Sequence, residues 1–237
     1  MNTLLTRMKY PSRAIMASAT CALIVLIVVI GFGPSYVGAI LSGHKTSLVL
    51  HFHAVVFIGW IALFTLQALL PAFGRVDLHK KIGQFGIAYA ILLVVVGLTT
   101  TVNRVAYYFN DGQEALARAF LIAPLSDMIV FPIFFTAAIL FRHKPNIHKR
   151  LMLVATVSLT IAAVARMSFL PASYWSIHFI WLSPIYLAMG YDLLKHRMIH
   201  PAYIVGILVL AIVPLRDHVT STDAWGTFFN WFITTLT

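Results

Sequence analysis

Five ionisable side chains interrupt long apolar stretches of this 237-residue sequence and are the first candidates for chemistry. They are His51, His53, Asp127, Arg166 and His178. Charged groups within the apolar part of a membrane protein are costly, and they mark functional sites by default. Imidazole and carboxylate groups bind zinc and other divalent metals, and an arginine can stabilise an anionic transition state.

The spacing of these residues gives two readings of the group. Helix geometry puts Asp127 roughly 12 Å from the outer end of its apolar block and Arg166 only a few ångström away in height. We expect these two residues either to act in catalysis or to form a buried structural pair. A metal site would use Asp127, His178 and one of His51 and His53, because residues two apart on a helix point in nearly opposite directions.

Histidines near both faces of the apolar region suggest a second kind of site. Two haems can be held in a helical bundle when each takes one axial histidine from each of two helices. His53 (or His51) with His178 would hold an outer haem b, and His79 with His148 an inner one. Trp60 shares a helical face with His53, and this aromatic stripe suits a planar ligand as well as ordinary packing.

A resemblance supports the haem reading. The stretch from His53 to Gly86 combines a histidine, Gly59-Trp60, Gln67, Gly74 and Leu78-His79-Lys80-Lys81-Ile82-Gly83. It resembles an uncharacterised family of bacterial multipass membrane proteins, and more distantly it is similar to the two-haem cytochrome b transmembrane electron carriers related to ferric reductases. The close resemblance covers the second and third apolar blocks, with a weaker match at 146–152. It implies bis-histidine ligation of haem b and a bacterial cell membrane.

The elements that must position these residues are membrane-spanning helices. Hydrophobic residues make up 60% of the chain and charged residues 10%, with a mean hydropathy of +0.90. The apolar blocks are about 20 residues long, which is the length of a transmembrane helix rather than of a strand. We therefore predict one domain, an all-α integral membrane bundle. The predicted spans are 14–30, 47–73, 82–109, 119–141, 151–170, 174–194 and 201–215.

Lysine and arginine set the expected orientation of the bundle. Twelve of the 17 basic residues fall at the N-terminus or near the ends of the even-numbered spans, which predicts a cytoplasmic N-terminus. This placement explains the net charge of +10 without nucleic acid. The aromatic tail, 222–237, is predicted to be an interfacial helix outside, with an eighth partial span as the rival. The single cysteine, Cys21, excludes a disulfide framework.

Three functions follow from these patterns. The first is a membrane redox protein that binds haem b through paired histidines and moves electrons across or within the bilayer, with a quinol or a redox protein as partner. The second is a metal-dependent membrane enzyme with zinc or another divalent ion in the outer half. The third is a non-catalytic accessory subunit, or a carrier in which Asp127 and Arg166 exchange partners.

Overall fold

Helices make up the regular structure of the chain. The computed structural model describes residues 11–171 and 173–236, and all regular elements within these ranges are helical. Seven helical segments of the described chain are long and apolar enough to cross a membrane, and three of them join more than one helical element: Ser12–Leu41, Pro145–Val164 and Pro201–Ser221. The prediction of an all-α, multi-pass membrane bundle is thereby confirmed.

The helices follow one another with short connections. The first helix continues past its end through a π-helical turn, Gly33–Val37, and a last α-helical turn, Gly38–Leu41. A 3₁₀ segment, Val213–Ser221, follows the eighth. The bounds are α1 Pro11–Phe32, α2 Leu48–Ala72, α3 Val76–Asn110, α4 Glu114–Leu140, α5 Pro145–Ser158, α6 Ile161–Val164, α7 Tyr174–His196, α8 Pro201–Ile212 and α9 Asp223–Leu236.

The fifth span differs most from its predicted bounds. We predicted a helix over 151–170, but α5 ends at Ser158 and α6 is a single turn that ends at Val164. The hydroxyls of Ser158 and Thr160 donate to carbonyls three residues earlier, at 2.7 and 2.8 Å, and so compete with the regular helical pattern at this point. As a result, Arg166 lies on the following loop rather than inside a helix.

Tight turns make successive helices antiparallel. Gly43, Gly74 and Gly112 adopt positive φ angles of 74–76° between the helices they connect, a conformation that favours glycine. The loops 73–75, 141–144 and 197–200 therefore share one end of the bundle, called the basic end here. The loops 42–47, 111–113 and 165–171 share the other, called the far end.

The start of α1 also lies at the basic end. The Lys195 ammonium, in the last turn of α7, donates to the Ser12 hydroxyl at 2.7 Å. This contact fixes the direction of α1 within the bundle.

The core surrounds α5. In the fifth span, 67% of the residues in the most apolar stretch are buried, against 39% or less in the other six spans. Trp60 of α2, Phe131 of α4 and Trp181 of α7 are fully enclosed side chains of this core. The Trp181 indole donates to the Val157 carbonyl at 2.7 Å, next to the end of α5.

A second, smaller apolar cluster lies at the far end. There α9 packs against the last turns of α3 and the first turns of α4, through the buried residues Val105, Ala117, Leu121, Phe229 and Ile233. The Trp225 indole donates to the Arg118 carbonyl at 3.1 Å. At 14 residues, α9 is about 21 Å long, which is short of a bilayer core. The tail therefore forms a packed helix rather than an eighth span.

Candidate functional site

The structure brings His79 and His148 together at the basic end. Each is the fourth residue of its helix, His79 in α3 and His148 in α5. Their ring centres are 6.3 Å apart and their planes are inclined at 78°. Both side chains are half-buried.

The Nδ1 atom of each ring is hydrogen-bonded to a backbone carbonyl. His79 Nδ1 lies 3.1 Å from the Gln67 carbonyl oxygen, and His148 Nδ1 lies 2.8 Å from that of Ala138. A carbonyl oxygen can only accept, so Nδ1 carries the hydrogen in both rings. In the neutral rings, Nε2 then keeps its lone pair and is available as a metal ligand.

Close packing of α2 against α3 positions His79. A side chain at Gly83, one turn further along α3, would place its Cβ 3.4 Å from the Gln67 side-chain oxygen. The Gln67 side-chain nitrogen is buried and has no partner among the described residues. The backbone carbonyl of Gln67 is thus held within hydrogen-bonding distance of His79, and the side-chain NH₂ group of Gln67 is an unused donor.

Basic residues follow each histidine along its helix. Lys80 and Lys81 follow His79, and Lys149 follows His148, all with exposed side chains. A ligand bound between the histidines would therefore be favoured if it carried negative groups at its edge.

The second predicted haem pair does not form. His53 stacks on Phe57 of its own helix, with ring centres 4.1 Å apart. His178 is buried, stacks on Tyr174 at 4.3 Å and meets Trp181 edge-on at 5.7 Å. Within the described ranges, no ring contact or hydrogen bond joins His53 to His178, because each imidazole packs against aromatic residues of its own helix.

The predicted metal set of His51, His53, His178 and Asp127 is not assembled either. His51 Nδ1 is hydrogen-bonded to the Tyr36 hydroxyl at 2.6 Å, and the Asp127 carboxylate accepts from Arg216 at 2.6 Å. In residues 11–171 and 173–236, no group of three or more His, Cys, Asp or Glu side chains is placed to hold a metal ion. His51 and Asp127 are thus hydrogen-bonded to other partners, and the imidazoles of His53 and His178 pack against aromatic rings.

The pairing of Asp127 with Arg166 is wrong. The partner of Asp127 is Arg216, on the 3₁₀ segment, whose Nη1 also donates to the Ser126 hydroxyl at 2.5 Å. Arg166 has left the helix; its Nη1 donates to the Ala162 carbonyl at 2.5 Å and its guanidinium lies 4.9 Å from the centre of the Phe32 ring. The end of α6 at Val164 is the physical reason for this separation.

Trp60, which was expected to face a cofactor, lies in the core. It is 2% exposed, and the rings of Phe131 and Phe135 meet it edge-on at 5.1 and 5.7 Å. Its indole nitrogen is buried without a partner in the described part of the chain. The aromatic stripe thus packs α2 against α4.

A buried ion pair at the basic end escaped the sequence reasoning. Two nitrogens of Arg150 donate to the Asp192 carboxylate at 2.6–2.9 Å, and a third donates to the Asn146 carbonyl at 2.5 Å. Both residues are less than 5% exposed. Asp192 is the one acidic residue of its span, which is the signal that could have revealed the pair.

Comparisons with known proteins add no relative to this picture. No family model, no curated protein and no solved structure matches the chain. Its function has to be inferred from the geometry of the site itself.

Proposed function

We propose that this protein is a membrane electron carrier that binds one haem b at the basic end, with His79 and His148 as the axial ligands. The observation that carries the proposal is the separation of the two imidazole rings together with the backbone hydrogen bond on each Nδ1.

The ring separation agrees with ligation of one metal ion from opposite sides. A metal–nitrogen distance of about 2.0 Å, plus about 1.1 Å from that nitrogen to the ring centre, gives two ring centres about 6.2 Å apart. The rings of His79 and His148 are 6.3 Å apart. The two helices thus hold the imidazoles at this spacing through their own packing.

Two protein ligands favour haem over a bare metal ion. Zinc sites use at least three protein ligands, whereas the macrocycle of haem supplies four and leaves two axial positions to the protein. Among the described residues no third His, Cys, Asp or Glu joins His79 and His148. The donor set therefore fits haem b better than it fits zinc.

The residues around the pair would serve this ligand in separate ways. The carbonyls of Gln67 and Ala138 hold both imidazoles in the tautomer that presents Nε2. Lys80 and Lys81, which follow His79, would supply positive charge for the two carboxylates at the edge of haem. When bound, haem b supplies reversible one-electron chemistry.

The surroundings of the site suggest its partners. We place the protein in a bacterial cell membrane with the basic end in the cytoplasm, because basic loops stay on that side. Electrons would come from a quinol in the bilayer or from a redox protein that meets the basic end.

The test is an absorption spectrum of the purified protein supplied with haem and reduced with dithionite. We expect the sharp bands of six-coordinate haem b at a stoichiometry of one per chain. His79→Ala and His148→Ala should each remove these bands, because each leaves one axial position empty.

The matched control is His143→Ala, which removes an exposed histidine from a loop at the same end. It should keep the full spectrum. If the wild-type protein shows no haem bands, or if neither ligand substitution alters them while the variants remain folded, the proposal fails and a non-catalytic role becomes the better reading.

A further inference from the structure

Three polar side chains meet at the basic end, where α1 packs against α7. The Lys195 ammonium donates to the Ser12 hydroxyl at 2.7 Å and to the Tyr191 hydroxyl at 2.8 Å, and the two hydroxyls are 3.3 Å apart. Ser12 lies in the first turn of α1, and Tyr191 and Lys195 lie in the last turns of α7. These three residues are called the polar cluster here.

A count of hydrogens leaves the polar cluster with two unused donors. The ammonium has three N–H groups, and two of them donate to the hydroxyls. One hydroxyl can donate to the other, so the second O–H has no acceptor within the cluster. Among the described residues these side chains have no further acceptor. One N–H and one O–H are therefore left for an acceptor from outside.

The charge of Lys195 has no counterion in the part of the chain that the structure describes. The ion pairs there are Arg75–Asp77, Arg150–Asp192 and Arg216–Asp127. Asp192 follows Tyr191 in the chain, but it is buried and its carboxylate is bound by Arg150. An acceptor that reaches the polar cluster is therefore favoured if it is negatively charged.

An apolar groove follows the same two helices, closer to the far end. It has a volume of about 350 Å³ and is lined by side chains of α1 between Leu23 and Ile30, of α7 between Phe179 and Ser183, and of the 165–171 loop. Leu26, Ile30 and Phe179 are exposed. The groove is therefore open on the side of the bundle that faces lipid.

Helical periodicity places the polar cluster and the groove on the same side of the contact between α1 and α7. An α-helix has 3.6 residues per turn, so residues that are about 11 or 18 positions apart share a face. Ser12 is 11 residues from Leu23 and 18 from Ile30, and Tyr191 is 11 residues from Ile180. The two features thus lie on one line along the bundle.

The distance between them matches the depth of one leaflet. Ser183 is about 12 Å from Tyr191 along α7, and Leu23 is about 16 Å from Ser12 along α1. Each leaflet supplies about half of a hydrocarbon core that is about 30 Å thick. An acyl chain whose headgroup is at the polar cluster therefore reaches the start of the groove near the membrane centre.

We propose that the polar cluster and the groove bind one anionic phospholipid from the leaflet at the basic end. Its phosphate accepts from Lys195 and from the free hydroxyl, and one acyl chain follows α1 and α7 into the groove. The phosphate satisfies both unused donors and supplies the missing counter-charge. His79 and His148 lie on α3 and α5, so this site does not depend on the haem proposal.

The test measures lipid binding to the full-length protein in detergent, with bound lipids counted by native mass spectrometry. The lipids are dipalmitoyl-phosphatidylglycerol and dihexanoyl-phosphatidylglycerol, whose short chains do not reach the groove. We expect Lys195→Gln to weaken binding of the dipalmitoyl lipid by about tenfold or more, because a charge-assisted hydrogen bond to phosphate is lost. Inorganic phosphate, added at the same concentration as the lipid, should not displace it.

The groove is tested separately with Leu26→Trp, which fills it with a larger side chain. Leu26 is 52% exposed, so this variant is expected to fold even if Lys195→Gln does not. It should weaken binding of the dipalmitoyl lipid and leave that of the dihexanoyl lipid unchanged. Thermal unfolding without lipid shows whether each variant is folded.

The matched control is Lys144→Gln, which removes an exposed charge from another loop of the same end. It should bind both lipids as the wild type does. Equal binding by Lys195→Gln and Lys144→Gln, whether weakened or not, overturns the proposal. Displacement of the lipid by inorganic phosphate overturns it in favour of a soluble ligand, and a dipalmitoyl lipid that binds Leu26→Trp as well as the wild type overturns the place of the acyl chain.

Discussion

Breaking the Arg150–Asp192 pair should have one of the largest effects on stability of any single substitution in this chain. Asp192→Asn keeps the shape of the side chain but leaves a buried guanidinium without its carboxylate. Removing one partner of a buried ion pair costs about 3–5 kcal/mol. Both side chains are at most 5% exposed and the contacts are 2.6–2.9 Å long, so solvent cannot replace the lost partner.

The assay is thermal unfolding in detergent, followed by fluorescence of the five tryptophans. For a chain of this size, 1 kcal/mol corresponds to about 2–4 °C in Tm, so Asp192→Asn should lower Tm by roughly 6–20 °C. Arg75→Gln is the control, since the Arg75–Asp77 pair is 62% and 70% exposed and 4.0 Å long. Its loss should cost less than about 1 kcal/mol.

A double variant separates charge burial from packing. Arg150→Met combined with Asp192→Leu removes both charges and keeps apolar volume, and such replacements are often neutral or stabilising by about 1–4 kcal/mol. We expect the double variant to melt close to the wild type. If it melts as low as Asp192→Asn, or if Asp192→Asn melts with the wild type, the reasoning about an uncompensated buried charge is refuted.

Two further outcomes are expected. In double-mutant cycles, Asp127→Asn should show coupling of about 0.5–3 kcal/mol with Arg216→Gln and none with Arg166→Gln; coupling to Arg166 would contradict the observed pairing. His200 caps the first turn of α8 through Nδ1, and burial, followed by the charge of Arg150, lowers its pKa below 6.5. The cap is complete above pH 6.5 and is lost as the pH falls through the lowered pKa, so stability should decrease on acidification. His200→Asn should remove this part of the pH dependence, because an asparagine cap does not titrate. Hydrogen exchange at the start of α8 measures the effect.

Much of the fold was predictable because span length and turn chemistry are local properties. Apolar blocks of helical length, ended by Gly74 or begun by Pro201, predict spans that overlap the seven long apolar segments of the structure. The proximity of His79 and His148 was also within reach of the sequence, since both occupy the same position at the start of neighbouring odd-numbered spans. Predicting that two spans running in the same direction carry a histidine at the same depth requires no knowledge of side-chain packing.

The polar contacts of the core were less predictable because they depend on where helices stop. Hydroxyls at Ser158 and Thr160 end α5 early and carry Arg166 out of the bundle. In the sequence, Arg150 is indistinguishable from the other basic residues near loops, and only the structure shows its ion pair with Asp192. Distances along the sequence give the depth of a residue within the membrane, but they do not show which side chains of adjacent helices face each other.

The length of α3 has a consequence for how the molecule responds to solvent. Its 35 residues extend about 52 Å, some 20 Å more than the hydrocarbon core requires, and the cluster of Val105, Leu121 and Phe229 forms near its far end. Helices inside lipid associate without the hydrophobic effect, whereas a cluster beyond the hydrocarbon core would be held together by it. Urea should therefore loosen α9 while the spans stay associated. The chain would then show two unfolding transitions, one governed by the aqueous solvent and one by the surrounding lipid or detergent.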